Sequence, residues 1–326
     1  MRVTLDPQSL PPPAPRGAVA SIGVFDGVHR GHLAILAANL VRARELGAVP
    51  TVVTFAGHPK RVLLGHEPRT LTSLDHRLDL FRRAGIEHTL VLTFDEHLRD
   101  VSAEDFIERY LVRGLGARAF VLGFDSKFGR ERRGTPAFLR DHGFDVAVVD
   151  QVLVGGRGVS STAIREAVEL GDLDIAQRML GRPVSVFGTV VHGDAMGRTI
   201  GFPTANLDLH HELHPPPGVY FGWARVVPPP YAAQDAVEVR RPALANIGVR
   251  PTVAGPSDGR PRVEVHLLDF DGELYGANLE LTFIGRLRDE RRFEDLAALK
   301  SQIALDVAAA RARLASPPAG DLTPRG

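Results

Sequence analysis

Two imidazoles stand three residues apart in the stretch "GVFDGVHRGH" (Gly23–His32), which follows directly on the apolar run "GAVASI". An apolar run that gives way to glycines and then to a helical pattern reads as a strand turning into a helix. The first turn of a helix carries unpaired backbone N–H groups and the positive end of the dipole, a ready anion site. Glycines at 23, 27 and 31 let the backbone approach a ligand without a Cβ in the way. His29 and His32 can add hydrogen bonds to phosphate oxygens and, with an ordinary imidazole pKa of ~6.5, charge on protonation. On these residues alone two other readings stay open: a tight turn with solvent-exposed histidines, and a two-histidine metal site with no third ligand nearby in sequence.

A second constellation lies far along the chain. In "VHGDAMGRTIGFPTANL" (191–207) a glycine-rich turn precedes Thr204 and Asn206, which alternate along an extended segment and so project to one face. A hydroxyl and an amide oxygen are hard donors suited to Mg²⁺, which keeps waters and substrate phosphates among its ligands; the alternative is a buried polar pair in a barrel. In "VEVHLLDFDGELYG" (263–276) Glu264 and His266 share one strand face. A glutamate facing a phosphoryl donor can accept the proton of an attacking hydroxyl, although an exposed strand face also explains a lone Glu. "VSSTAIREAV" (159–168) sets Ser160, Ser161 and Thr162 before a helix with Arg165 one turn inside, and by itself reads as N-capping. "FGRERRGTPAFL" (128–139) is a basic loop flanked by glycine. No "GxxxxGK[ST]" occurs, so nucleotide chemistry here does not use a P-loop.

The elements that must hold these residues fall into two styles. Up to residue 180, short apolar runs alternate with helical patterns: strands "AVASIGV", "VPTVVTF", "HTLVLTF", "ARAFVLGF" and "DVAVVDQVLV", and helices over 32–46, 74–85 and 102–116, with a helix pair around 162–180. Such alternation predicts a doubly wound parallel α/β sheet, whose ligands bind beyond the carboxyl ends of the strands. From "GRPVSVFGTVVHGD" onward the runs ("GVYFGWARVV", "RPALANIGV", "PRVEVHLLDF", "NLELTFIGRL") are β-branched and separated by Gly, Pro and Asp. That pattern predicts a small antiparallel barrel or sandwich. A final helix over 293–315 presents Leu296, Leu299, Ile303, Val307 and Leu314 as a core-facing stripe. The expected domains are 1–182 and 183–315, with loops at 226–235 and 254–261 and a disordered tail at 316–326.

Composition bounds the rest. The 326 residues suggest two domains. Thirty-nine basic residues balance thirty-nine acidic ones, so no global field draws nucleic acid or an anionic membrane. There is no cysteine, which excludes disulfides, thiolate nucleophiles and cysteine zinc sites. No apolar run approaches the ~20 residues of a membrane span, and "MRVTLDPQSLPPPAPRG" has no apolar signal region. A cytoplasmic protein is expected, binding neither nucleic acid nor membrane; homo-oligomer formation is left open.

"GVFDGVHRGH", "TFAGHP", "GFDSKFGRERRG" and "SSTAIR" together resemble the Rossmann-like nucleotidyltransferase domain of bacterial FAD synthetases, over most of residues 17–180. The resemblance implies adenylyl transfer from ATP to FMN, giving FAD and pyrophosphate. It makes His29, His32 and Arg165 catalytic through charge stabilisation, and places ATP phosphates at Gly23, Phe25, Asp26, Gly31, Ser161 and Thr162. It sets FMN against His58, Pro59 and Asp125. The chain departs from the family at Ala56 and Gly57, where Glu-Pro is usual, and at Ser126, where an aromatic is common.

The second half, over about 183–310, resembles riboflavin kinase through "PTAN", "VEVHLLDF", "GVYFGWARV", "ANIGVRPTV" and "FIGRLRDERRF". This implies a six-stranded antiparallel barrel with a C-terminal helix, moving the ATP γ-phosphoryl to the ribityl 5′-hydroxyl of riboflavin. Thr204 and Asn206 would then hold Mg²⁺ and Glu264 would be the general base. A flap over ATP would include Gly193, Gly197 and Arg198, with Arg288, Glu290 and Phe293 bordering the flavin. Phe202 and Phe293 serve equally as flavin neighbours or core. The combined expectation is a bifunctional chain with riboflavin, FMN, FAD and ATP as ligands. Rivals are an adenylyltransferase for another acceptor, a flavin-binding regulator, and a kinase with a decayed first domain. The barrel argues against the first of these. The intact histidines argue against the other two, joined for the regulator by Thr204, Asn206 and Glu264.

Overall fold

The computed structural model describes residues 1–5, 15–57, 59, 62, 65, 68–192, 197, 200–227, 240–248 and 262–315. They form two compact units, Met1–Ala163 and Ile164–Gly326. The cut falls earlier than the expected boundary at 182/183, so most of the helix pair, α3 (Ser161–Glu169) and α4 (Leu173–Leu180), counts with the second unit.

The first unit is a six-stranded parallel sheet of β1 (Arg2–Thr4), β2 (Ala18–Ile22), β3 (Val49–Phe55), β4 (His88–Leu92), β5 (Ala117–Gly123) and β6 (Asp145–Val149), in the order β1-β4-β3-β2-β5-β6. The chain winds outward from β2 through β3 to β4, then returns to start again at β5 on β2's other side. The switch point therefore lies between the carboxyl ends of β2 and β5, where an open α/β sheet has its crevice. β2 is buried at all five residues because both faces are covered. Ala18, Ala20 and Ile22 pack with Phe55, Leu92, Phe106 and Leu111 on one side, while Val19 packs with Ala43 and Val121 on the other. Helix α1 (Arg30–Leu46) is pinned by the buried Asn39, whose Nδ2 donates to Val19 O at 3.0 Å, Ser21 Oγ at 2.9 Å and Thr51 O at 3.3 Å. Helix α2 (Leu74–Arg83) is capped by Ser73.

One element is unannounced in the sequence and three expected ones differ. β1, a short strand from the N-terminal stretch, joins the sheet beside β4; three residues carry too little pattern to announce it. The expected strand over 145–154 ends at Val149, and its remainder forms a hairpin, β7 (Leu153–Val154) against β8 (Arg157–Gly158), turned by Gly155 and Gly156 in left-handed conformation. The helix expected at 102–116 is capped by Ser102 and closed by left-handed Gly116, but its middle, Ile107–Val112, widens to a π turn. The final helix, α5 (Leu296–Ala315), begins later than 293, and Leu296 is exposed on its first turn.

The second unit carries a closed antiparallel barrel of β9 (Ser185–Val191), β10 (Ala205–Asp208), β11 (Gly218–Val227), β12 (Arg240–Gly248), β13 (Arg262–Leu267) and β14 (Asn278–Arg288), in the order β10-β13-β12-β11-β14-β9. Alternation runs cleanly through β13, where Val263, Val265 and Leu267 are buried and Glu264 and His266 are partly exposed. α5 lies on the outer wall through Val307, Ala310 and Leu314, against Val219, Phe221, Leu244 and Leu268. Two arginine forks fix it: Arg288 to the buried Asp306 at 2.8 Å and Arg311 to Asp269 at 2.7 Å. The loop expected at 254–261 and the 316–326 tail lie outside the described residues, as does 228–235; Val226 and Val227 end β11.

His88 links edge strand to sheet. Its Nε2 lies 3.1 Å from Thr4 Oγ1, and burial, with Arg2 nearby, lowers its pKa from the ordinary 6.5 to about 4. Below pH 6.5 the unfolded chain takes up a proton that the folded chain refuses until about pH 4. Stability should therefore fall across that window, by roughly 3 kcal/mol at most. His88→Gln should flatten the curve, as read from urea midpoints at pH 7 and pH 4.5.

Candidate active sites

Between β2 and α1 the chain reverses in seven residues, 23–29. Phe25 (φ 54°), Gly27 (φ 81°) and Val28 (φ 38°) all take left-handed conformations. A valine there is strained, and such strain persists only where surrounding packing imposes it. Phe25 and Val28 are indeed almost fully buried, and the Phe25 ring meets His32 edge-on at 5.1 Å and Phe81 at 5.5 Å. Asp26, also buried, braces the turn: its Oδ1 accepts from the backbone N–H of Leu71 at 2.8 Å and of Thr72 at 3.1 Å, and Thr72 Oγ1 in turn accepts from Gly27 N at 2.9 Å. The Asp26 carbonyl accepts from Ser161 Oγ at 2.9 Å, across 135 positions of sequence. Thus "GVFDGVHRGH" and the start of "SSTAIR" meet in space.

His29 is the N-cap of α1. Its Nδ1 accepts from His32 N at 3.3 Å, so in the neutral ring the proton sits on Nε2. At 6% exposure it overturns the reading of solvent-exposed histidines. The two imidazoles stack with centroids 3.6 Å apart and 14° between planes. A Cβ on Gly31 would come within 3.2 Å of His29 Cε1, so glycine gives the ring room over the helix start. Gly23 does the same for Phe25, whose ring a Cβ there would meet at 3.1 Å. Among the described residues no third His, Cys, Asp or Glu joins the pair into a metal-binding group.

Ser160 caps α3 by accepting from Ala163 N, Thr162 is exposed, and Arg165 follows Ser161 by one helical turn. After β5, Asp125 and Phe124 are exposed, and the basic loop holds Arg130, Arg132 and Arg133 at the surface. Glu131 and Arg132 are left-handed there, and paired hydrogen bonds between Phe128 and Gly134 close the loop. Pro59 is half-buried; His58, Gly193 and Arg198 lie outside the described residues. Sequence reasoning missed Arg77. Buried in α2, it donates to Val24 O at 2.5 Å and Phe55 O at 3.0 Å, clamping the ends of β2 and β3. A single arginine in a helical pattern gives no such signal.

On the barrel, register builds the second site. Asn206 on β10 pairs with Glu264 on β13, and Glu264 pairs with Asn246 on β12. Paired residues project to the same side, so these three form a row across the outer wall. Thr204 extends it and is exposed, which removes the reading of a buried polar pair. Gly197 packs where a Cβ would lie 2.3 Å from Phe202 O and 3.1 Å from Thr204 Oγ1, and its carbonyl accepts from Phe202 N. His266 Nδ1 is 2.8 Å from Pro203 O, and its ring meets half-buried Phe202 edge-on at 5.5 Å, fixing the "FPT" backbone. Asn246 Nδ2 donates to Glu290 Oε1 at 3.3 Å. Arg288 is committed to Asp306, and Phe293 lies under the guanidinium groups of Arg288 and Arg291 at 5.8 and 4.9 Å. Asn246 was not anticipated; its only signal was the alternation in "ALANIG".

An α/β unit with an imidazole-lined helix start at its switch point, joined to a barrel with an amide–carboxylate row, defines a two-domain phosphoryl- and nucleotidyl-handling enzyme. Family models place it more closely: that of FAD synthetase matches residues 12–163 and that of riboflavin kinase 180–314. A bifunctional riboflavin kinase/FMN adenylyltransferase of Pseudomonas fluorescens is 44% identical over 94% of this chain and 96% of that one. Those of Escherichia coli K12 and Bacillus subtilis are 38% and 35% identical, covering 90% and 89% of this chain and 92% and 90% of theirs. A crystal structure described as a macrolide-efflux protein from Streptococcus pneumoniae superposes with a TM-score of 0.76, at 30% identity, covering 95% of this chain and 98% of that one. Among the described residues no helix is long and apolar enough to cross a membrane. The chain belongs to the family of bifunctional riboflavin kinase/FMN adenylyltransferases.

Asp26→Ala should leave the Leu71 and Thr72 N–H groups buried without this acceptor, costing about 2–4 kcal/mol. Denaturant unfolding of the variant, followed by circular dichroism, checks this.

Proposed function

We propose that the chain makes FMN on the barrel and FAD on the α/β unit, with the functional division at 182/183 and "SSTAIR" serving the first site. In the kinase step Glu264 accepts the proton of the ribityl 5′-hydroxyl as that oxygen attacks the γ-phosphorus of ATP. The bond to the β-phosphate oxygen breaks and ADP leaves. Thr204 and Asn206 offer two neutral oxygens, a donor set that fits Mg²⁺ shared with phosphates. Bound there, the ion would neutralise charge on the transferring phosphoryl. Gly197 packs against "FPT"; Gly193 and Arg198, outside the described residues, are assigned to ATP by the family resemblance, and Glu290 and Phe293 frame the flavin. The commitment of Arg288 to Asp306 makes it the holder of that frame.

In the adenylyl step a phosphate oxygen of FMN attacks the α-phosphorus of ATP and pyrophosphate leaves. His29, donating from Nε2, and His32 stabilise charge on the phosphates, with Arg165 and Thr162 as further donors and the Gly31 N–H beneath. Ser161 spends its hydroxyl proton on the Asp26 carbonyl, so both residues position the turn rather than touch phosphate. Gly23 and Phe25 shape the same turn, and Pro59, His58 and Asp125 receive FMN. Both reactions are those of a cytoplasmic cofactor-forming enzyme.

The observation that carries the reading is the pairing of Asn206 with Glu264, which sets a metal-suited amide beside a base. Incubation with riboflavin, ATP and Mg²⁺, with chromatography of the flavins, should yield FMN and then FAD; no FMN would overturn it. Glu264→Gln should lower FMN formation by at least ~10² and leave FAD formation from supplied FMN intact. His29→Ala should do the converse, with His29→Asn, which preserves the cap, separating chemistry from helix stability.

A further inference from the structure

The order of strands β10-β13-β12-β11 lays unlike chemistries side by side on one wall. Asn206 is on the first strand, Glu264 on the second and Asn246 on the third; on the fourth Val219, opposite Asn246, joins the apolar patch beneath α5. Neighbouring strands are about 4.8 Å apart. A five-carbon polyol chain has four C–C bonds of ~1.5 Å and spans about 5 Å when extended, one strand spacing. With its terminal hydroxyl at Glu264, such a chain running across the wall reaches β12, short of the patch that α5 covers. The routes along β13 are less suited: His266 is tied to Pro203 in one direction and Arg262 is exposed in the other.

What waits on β12 is polar and built. Asn246 donates to Glu290, and the carboxylate lies so close to β12 that a Cβ on Gly248 would sit 1.9 Å from its Oε1. With a side chain at 248 the Glu290 carboxylate would have to shift away from this position. An amide and a carboxylate held together offer both donors and acceptors, the complement of a run of secondary hydroxyls.

We propose that Asn246, braced by Glu290, reads the internal hydroxyls of the ribityl chain and so sets acceptor specificity in the kinase step. This rests on the kinase reading above. The test compares kcat/KM for riboflavin with that for the flavin bearing an unbranched hydroxypentyl chain, which keeps the terminal hydroxyl and lacks the internal ones. The unaltered chain should prefer riboflavin; loss of one or two hydrogen bonds corresponds to roughly 5- to 100-fold. Asn246→Leu should bring the two acceptors together by depressing riboflavin turnover alone, with KM for ATP unmoved. Glu290→Leu, at an exposed position where folding is not at stake, should narrow the gap in the same direction. Equal use of both acceptors by the unaltered chain, or a gap untouched in both variants, overturns the inference while leaving the kinase reading standing. Phosphorylation of neither acceptor would sink that reading instead.

Discussion

The Asp26 carboxylate is the constraint on which the first unit's site depends. Three stretches far apart in sequence (the turn after β2, the 71–72 segment and the start of α3) meet at this one residue through its side chain and its carbonyl. A buried carboxylate bonded to backbone N–H groups has little freedom to move, and hydrogen bonds to a charged acceptor contribute more than neutral ones. That rigidity holds Phe25 and Val28 in backbone conformations they would otherwise leave, and those conformations aim His29 and His32 at the helix start. Arg77 works from beneath, fastening the strand ends from which the turn departs.

In the second unit the equivalent constraint is register. Along β13 valine and leucine face the interior while Glu264 and His266 face out, so a slip by one residue would carry the base into the core. The barrel's closure prevents that slip, because every strand is paired on both sides. α5 then packs on this wall through apolar contacts and the two arginine forks, and the segment that bears Glu290 and Phe293 connects β14 to α5.

Much of this was legible in the sequence. The strands "VPTVVTF" and "GVYFGWARVV" match β3 and β11 residue for residue, since long apolar runs bounded by turn residues leave little room for error. The chemical residues His29, His32, Thr204, Asn206 and Glu264 were visible because they interrupt such patterns. What was hidden depends on partners distant along the chain. Asn39, Arg77 and the buried Arg225–Glu280 pair look like solvated positions until the fold supplies their acceptors. Asn246 became meaningful only when β12 was placed beside β13. Leu296 failed for the opposite reason: helical spacing assigned it to a face, but the barrel wall does not reach the first turn of α5.

The closed wall also separates two kinds of change. Inner side chains such as Val263, Val265, Ala245 and Ile247 interlock, and altering one disturbs its neighbours. The outer row touches that packing hardly at all. A lineage could therefore retune what the barrel accepts by exchanging a few outward letters, while the inward ones are inherited as a block. The barrel behaves as a stiff printing plate whose type can be reset without recasting the metal.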